Sequence, residues 1–177
     1  MKKLFAIFYQ FLQKLIHRSS TPTTTDHAVS TEHENKISYS KDLIPALKND
    51  HQRLIALYIQ IDQLIQIQKF EDIQALLMHF KTEFNRHIMQ ENVSFYCYLE
   101  QNFAKDTNHL ETVKQYRKEM NNISHSVVMF IKKWQSEAIT SENLASFQHE
   151  FESIGQVLTQ RIHSEEDQLY PLYQPAF

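Results

Sequence analysis

Glycine is almost absent from this sequence, with a single residue among 177 and only four prolines beside it. Sheets, hairpins and phosphate-cradling loops draw on turn glycines that this chain lacks, so the composition is helical and a Gly-rich nucleotide loop is excluded. Cysteine is as scarce. Cys97 stands alone, which rules out an internal disulfide and a cysteine-type zinc site and suits a reducing compartment. A basic surplus is missing too: the formal net charge is -3, no basic stripe is visible, and no nucleic-acid partner is expected. Long apolar runs are also absent. The opening stretch MKKLFAIFYQFLQKLIHR is too short to span a bilayer. Gln10, Gln13 and Lys14 interrupt it, and no small-residue cleavage site follows, so it does not read as a secretory signal.

What is present suffices for one domain with an appendage, since hydrophobic residues make up 42% of the chain. Residues 1–18 place Leu4, Phe8, Phe11, Leu12 and Leu15 at helical spacing with Gln and Lys on the other side. This is an amphipathic helix that lies on a membrane surface or a partner, or packs on its own bundle. Residues 19–40 are rich in Ser and Thr and read as a flexible linker, with His27 and His33 solvated in it. Residues 41–177 form the folded domain. Four amphipathic helical patterns follow one another there, roughly 42–68, 70–102, 110–137 and 141–170. Their short connections predict an all-α, up-down-up-down antiparallel four-helix bundle. Residues Asp106 to Asn108 supply a turn, Thr140 or Ser141 is the expected cap of the fourth helix, and Pro171 and Pro175 stop it.

Ten histidines are many for a chain of this size, and helical phase sorts the inward ones from the rest. A helix turns roughly 100° per residue, which places each side chain relative to the apolar stripe of its own helix. In the first helix His51 falls within the stripe of Leu43, Leu47, Leu54, Tyr58, Ile61 and Ile65. In the second, Glu91 sits at the centre of the stripe from Ile73 to Leu99 and His87 at its edge, while His79 and Cys97 point away. The third helix carries Met120 at the centre of its stripe with Glu119 on one flank, and its His125 lies nearly opposite. In the fourth, Glu165 is central and Arg161 marginal. His163 and Asp167 have ligand spacing, but both face outward; Glu166 and Asp167 read as a solvated face.

The interior polar set is therefore His51, His87, Glu91, Arg161 and Glu165, with Glu119 as a further candidate. A buried unpaired carboxylate costs several kcal/mol, so these groups need partners. A divalent metal would take the imidazoles and carboxylates, as bundle cores do from facing helices. Alternatively, Arg161 stands where a cation would and holds Glu91 and Glu165 in a metal-free network.

The run "NDHQRL", then "HIMQEN…FYCYLE", "KEM" and "RIHSEEDQLYPLY" resembles the hemerythrin-like, HHE cation-binding family across the whole bundle. The resemblance implies non-haem iron, often as a pair, held for oxygen storage, oxygen or iron sensing, or peroxide chemistry. Carried over by position, it makes His51, His87, Glu91, Glu119 and Glu165 metal ligands and puts Met120 and Arg161 where two further histidines are usual. Those two replacements point to a reduced ligand set. Ligand type leaves manganese and zinc open beside iron. The last helix, "FQHEFESIGQVLTQRI", is also similar to the regulator of sigma D family of anti-sigma factors, which bind an RNA polymerase sigma factor.

The leading expectation is a non-enzymatic, hemerythrin-like metal protein for oxygen, iron or redox sensing or storage, with O2 or a small anion as a further ligand. A metal-free bundle binding a protein partner such as a sigma factor is the alternative, and an oxygen- or peroxide-consuming enzyme stands third. The expected setting is cytoplasmic and bacterial, with peripheral membrane contact through residues 1–18.

Overall fold

The computed structural model describes residues 36–176. The helix expected over 1–18 and the linker up to residue 35, with His27 and His33, lie outside the described residues. Among the described residues the chain is helical and forms no strand. Helix α1 covers Leu43–Gln66 and α2 covers Phe70–Gln90; a π-helical turn, Glu91–Tyr96, then leads straight into α3, Cys97–Asn102. Helix α4 covers Thr107–Ser136 and α5 covers Leu144–Ser164, continued by a second π turn, Glu165–Leu169, and a 3₁₀ turn, Tyr170–Leu172. These make four rods. Helix α1 packs on α2, α2 on α4, α4 on α5 and α5 on α1, the closed order of an up-down-up-down bundle.

The connections are local solutions to ending a helix without glycine. Gln68 ends α1 in the left-handed region at φ 56°, where glycine is the usual choice, and the Lys69 amide donates to the Leu64 carbonyl at 3.0 Å. Asp106 caps α4 by accepting the His109 amide at 3.2 Å. The cap expected at Thr140 or Ser141 is not formed, because α5 begins at Leu144. Asn143 precedes it and ties the loop instead: its Oδ1 accepts the Thr140 amide at 2.8 Å and its Nδ2 donates to the Ala138 carbonyl at 3.0 Å. Residues 36–40, the end of the expected linker, have no regular structure but are fastened to the bundle. Ile37 and the Gln101 side chain exchange two hydrogen bonds, and the Ser40 amide donates to Tyr173 Oη at 3.0 Å.

Burial follows the predicted stripes. Leu47, Ile61, Ile73, Leu77, Phe84, Leu99, Val113, Ile131, Trp134 and Phe147 are at most 1% exposed. Two apolar cores result. One runs from Leu54, Phe84 and Met120 to Trp134 and Phe147; the other gathers Leu43, Leu47, Phe95, Tyr98, Leu99, Val113 and Tyr173 at the opposite end.

The single glycine, Gly155, lies buried within α5, where the Tyr58 ring lies across it. A Cβ at Gly155 would collide with Tyr58 Oη and ring carbons. The ring cannot retreat freely, being stacked on Phe151 at 4.1 Å with its hydroxyl donating to the Phe151 carbonyl. Helix propensity alone favours alanine by about 1 kcal/mol. The collision should reverse that sign: Gly155→Ala is expected to lose about 1–3 kcal/mol net, read as a lower urea midpoint at unchanged m-value.

Candidate metal centre

A polar layer separates the two cores. On α1, Asp50 and His51 lie between Leu47 of one core and Leu54 of the other; on the second rod, His87 and Glu91 lie between Phe84 and Phe95. Arg161 and Glu165 occupy the same level on the fourth rod. All six are buried, Glu91 completely and Glu165, His51 and His87 to within 2%.

His51, His87, Glu91 and Glu165 each turn one donor atom to a common point, and these atoms all lie within 4.8 Å of one another. His51 Nε2 stands 3.3 Å from Glu165 Oε2, and His87 Nε2 stands 3.8 Å from Glu91 Oε2. The two imidazoles meet edge on, 4.7 Å between centroids. Two nitrogens and two carboxylates at this spacing can hold a divalent cation. Glu91 Oε2 bears out the fit, because it is buried and makes no hydrogen bond. An isolated carboxylate oxygen in that position is costly, and a cation in the cluster would satisfy it.

The outward nitrogens complete the arrangement. His51 Nδ1 hydrogen-bonds Glu166 Oε1 at 2.9 Å, and His87 Nδ1 faces Asp50 Oδ2 at 3.9 Å. Each imidazole thus has its Nε2 toward the cluster and a carboxylate behind it, hydrogen-bonded for His51 and, for His87, near but not bonded, an arrangement in which outer carboxylates orient metal-binding histidines. These carboxylates are anchored in turn, Asp50 by Arg53 and Arg86 and Glu166 by Lys48. Glu166 therefore departs from the solvated face expected of it. Only Asp167 stays outside, paired with His163 on the surface, where the two are 66% and 48% exposed.

Arg161 serves one carboxylate of the two. Its Nε donates to Glu165 Oε1 at 2.5 Å and its Nη2 to Tyr96 Oη at 2.5 Å. Glu91 receives Tyr170 instead, whose hydroxyl donates to Oε1 at 2.9 Å and lies 3.3 Å from His51 Nε2. The expected bridge from Arg161 to both glutamates is not formed. Glu119 is not brought to the cluster: its side chain is 53% exposed, accepts from Gln115 Nε2 at 3.1 Å and meets the far side of Arg161 at 3.9 Å from Nη1. Met120 is buried, and it lines with His51, His87, Arg161 and Glu165 a largely apolar cavity of about 40 Å³ that reaches past Phe80 and Phe84 to Tyr58 and Gly155.

Both π turns begin at a cluster glutamate, Glu91 and Glu165. In an α-helix, residue i+5 lies roughly 140° around from residue i. A π turn bonds i to i+5 and brings that residue back over the first. Tyr96 and Tyr170, each five residues beyond its glutamate, are buried in this way. The opened backbone of the first turn is answered by Arg117, which donates to the Asn92 carbonyl at 3.3 Å and to its side-chain Oδ1 at 3.0 Å. Half-buried Cys97 donates its thiol to the same carbonyl.

The electrostatics record four ionisable groups crowded in a dry place. Burial opposes charge on His51, but the bonds to Glu165 and Glu166 and the nearby carboxylate charges outweigh it and lift its pKa to about 9. Burial holds the His87 pKa below normal. Burial, with the Glu165 charge, raises Glu91; Glu165 is burdened by burial as well, yet His51 and Arg161 bring it below the usual carboxylate range. Burial beside both carboxylates pushes the Tyr170 hydroxyl well up, so it stays a donor.

The sequence profile described as "Hemerythrin HHE cation binding domain" matches residues 42–173, the whole of the bundle. No curated protein and no solved structure matches the chain significantly.

The raised His51 pKa sets the pH response of metal-stripped protein. Its imidazolium adds stability that is complete below its unfolded pKa of 6.5 and disappears as pH rises through about 9. His87, with a lowered pKa, and Glu91, raised to about 7, change charge mainly at and below the lower edge of that window. Chelator-stripped protein is expected to lose on the order of 3 kcal/mol between those limits, seen as a falling urea midpoint, and His51→Gln should flatten that slope.

Proposed function

Starting from the fact that this chain belongs to the hemerythrin HHE cation-binding family, we propose that its bundle holds non-haem iron for oxygen, iron or redox sensing or storage and is not an enzyme. The observation that carries this reading is the convergence of His51, His87, Glu91 and Glu165 within 4.8 Å, with the Glu91 Oε2 left unbonded. These four residues are the ligands in this reading, and Asp50 and Glu166 orient the imidazoles. Iron suits a mixed imidazole and carboxylate set, and it would supply a redox couple responsive to oxygen.

The surroundings support a binding role. The cavity of about 40 Å³ beside the cluster has room for a water or a diatomic molecule. Its walls are largely apolar, and the four cluster residues are at most 2% exposed. Arg161 and Tyr170 fix one oxygen each of Glu165 and Glu91, which leaves the other oxygen of each carboxylate facing the imidazoles. Tyr170 also keeps its proton at Oη, so it steadies Glu91 without adding a charge. The metal-free alternative has Arg161 bridging both glutamates, whereas its hydrogen bonds go to Glu165 and Tyr96.

Two measurements test this. Protein purified without chelator should carry near-stoichiometric iron by elemental analysis, and a His51→Ala/His87→Ala double variant should carry none; metal-free, well-folded wild type would refute the reading. Glu166→Gln removes the carboxylate behind His51 while leaving all four donors, and should weaken iron(II) binding by about 10–100-fold. An unchanged affinity would remove Glu166 from the site.

A further inference from the structure

We propose that the Arg161 guanidinium is a resident second cation of this centre, and that it limits the site to one metal ion. The proposal rests on the metal-binding reading above and concerns how many ions the chain takes. Glu165 carries the geometry. Its Oε2 faces His51 Nε2 at 3.3 Å, on the side of the imidazole cluster, while its Oε1 accepts Arg161 Nε at 2.5 Å on the other. The carboxylate is thus shared between the cluster and a guanidinium, as a bridging carboxylate is shared between two cations.

On the cluster side stand two imidazoles and the free oxygen of Glu91. On the Arg161 side there is no imidazole. The groups around the guanidinium are Tyr96 Oη at 2.5 Å from Nη2, the Tyr116 ring 5.1 Å beneath the central carbon and Glu119 at 3.9 Å from Nη1. These suit a flat cation, with a hydroxyl and a π face, far better than a metal ion. Arginine also cannot give up its proton in a protein, so its charge stays whatever enters the cluster. A second ion would have to take Glu165 Oε1 from the guanidinium, find its remaining donors in a phenol and a half-exposed carboxylate, and sit against a like charge. The same charge neutralises Glu165 before any metal arrives, which keeps the donor ionised in a fully buried position.

The test counts cobalt(II) ions bound to chelator-stripped full-length protein by equilibrium dialysis and elemental analysis. Surface binding is subtracted with the His51→Ala/His87→Ala variant. One ion per chain is expected for wild type and for Arg161→Lys, which keeps the charge. Two are expected for Arg161→His, which replaces the charge with a neutral donor and frees Glu165 Oε1. If the histidine variant fails to fold, Arg161→Gln carries the same expectation. Two ions in wild type or in the lysine variant, or one in both neutral variants, overturns the proposal and leaves the metal-binding reading standing. No ion in wild type overturns both.

Discussion

Two carboxylates buried at one level of a helical bundle are the constraint from which the rest of this structure follows. Glu91 and Glu165 are 0% and 1% exposed, and the penalty for burying even one such ion is several kcal/mol. Each polar residue in the layer can be read as part of the answer. Arg161 and Tyr170 take one oxygen apiece. His51 lies against Glu165 and carries a raised pKa because of it. What these groups do not cover is Glu91 Oε2, along with His87 Nδ1 and Asp50 Oδ2 behind it, and for the glutamate oxygen the residual need is for a positive charge at the point where four donor atoms meet. A fold tuned only for stability would fill this layer with apolar side chains, since hydrophobic replacement of buried ion clusters is often neutral or stabilising. Here the layer instead places four donor atoms within 4.8 Å of one another between two apolar cores.

The π turns explain how two glutamates and two tyrosines share so small a volume. A regular helix with Glu91 or Glu165 inward would direct the residue five positions on toward the flank. Widening each rod at its glutamate returns Tyr96 and Tyr170 to the interior, and the two then cross-connect the layer: Tyr170 bonds the glutamate of the second rod, and Tyr96 bonds the arginine that holds the glutamate of the fourth. Within the first widened turn the Asn92 carbonyl also accepts from Arg117 and from the Cys97 thiol. Cys97 thus has a structural task at the turn.

The bundle and its inward polar residues were legible in the sequence because both rest on the 3.6-residue period, which holds from Leu43 to Gln66 and from Phe70 to Gln90 without a break. His51, His87, Glu91, Arg161 and Glu165 all precede or begin a π turn, so their phase could be counted. Tyr96 ends its turn and Tyr170 follows its own, where the α-helical count is shifted, and their part in the layer was hidden for that reason. Glu166 misled differently: one step from an inward residue, it belongs to the outer face of its own helix, yet it reaches His51 on the neighbouring rod. Asp50 faces His87 across the same kind of boundary. Contacts between rods are set by packing, which periodicity within one rod does not report. Glu119 shows the reverse error, a flank position beside Met120 that packing left in solvent. Only the adjacency of Asp50 to His51 and of Glu166 to Glu165 gave any hint of the outer carboxylates.

That outer ring changes how the surface ion pairs should be weighed. Exposed pairs such as Arg86–Glu83 or Lys48–Glu166 contribute little to stability on their own, typically below about 1 kcal/mol. Here they terminate chains that end at the imidazoles. Arg53 and Arg86 converge on Asp50, which stands behind His87, and Lys48 meets Glu166, which stands behind His51. A cation held by imidazole needs the ring fixed in one tautomer and one orientation, and a carboxylate does that only if it is itself held. The energy of each surface pair is small, but it is spent on geometry at the centre. The same layer therefore has two distinct electrostatic supports: Arg161, inside, pairs with the buried Glu165 carboxylate, while Arg53, Arg86 and Lys48, at the rim, hold the carboxylates that stand behind the histidines.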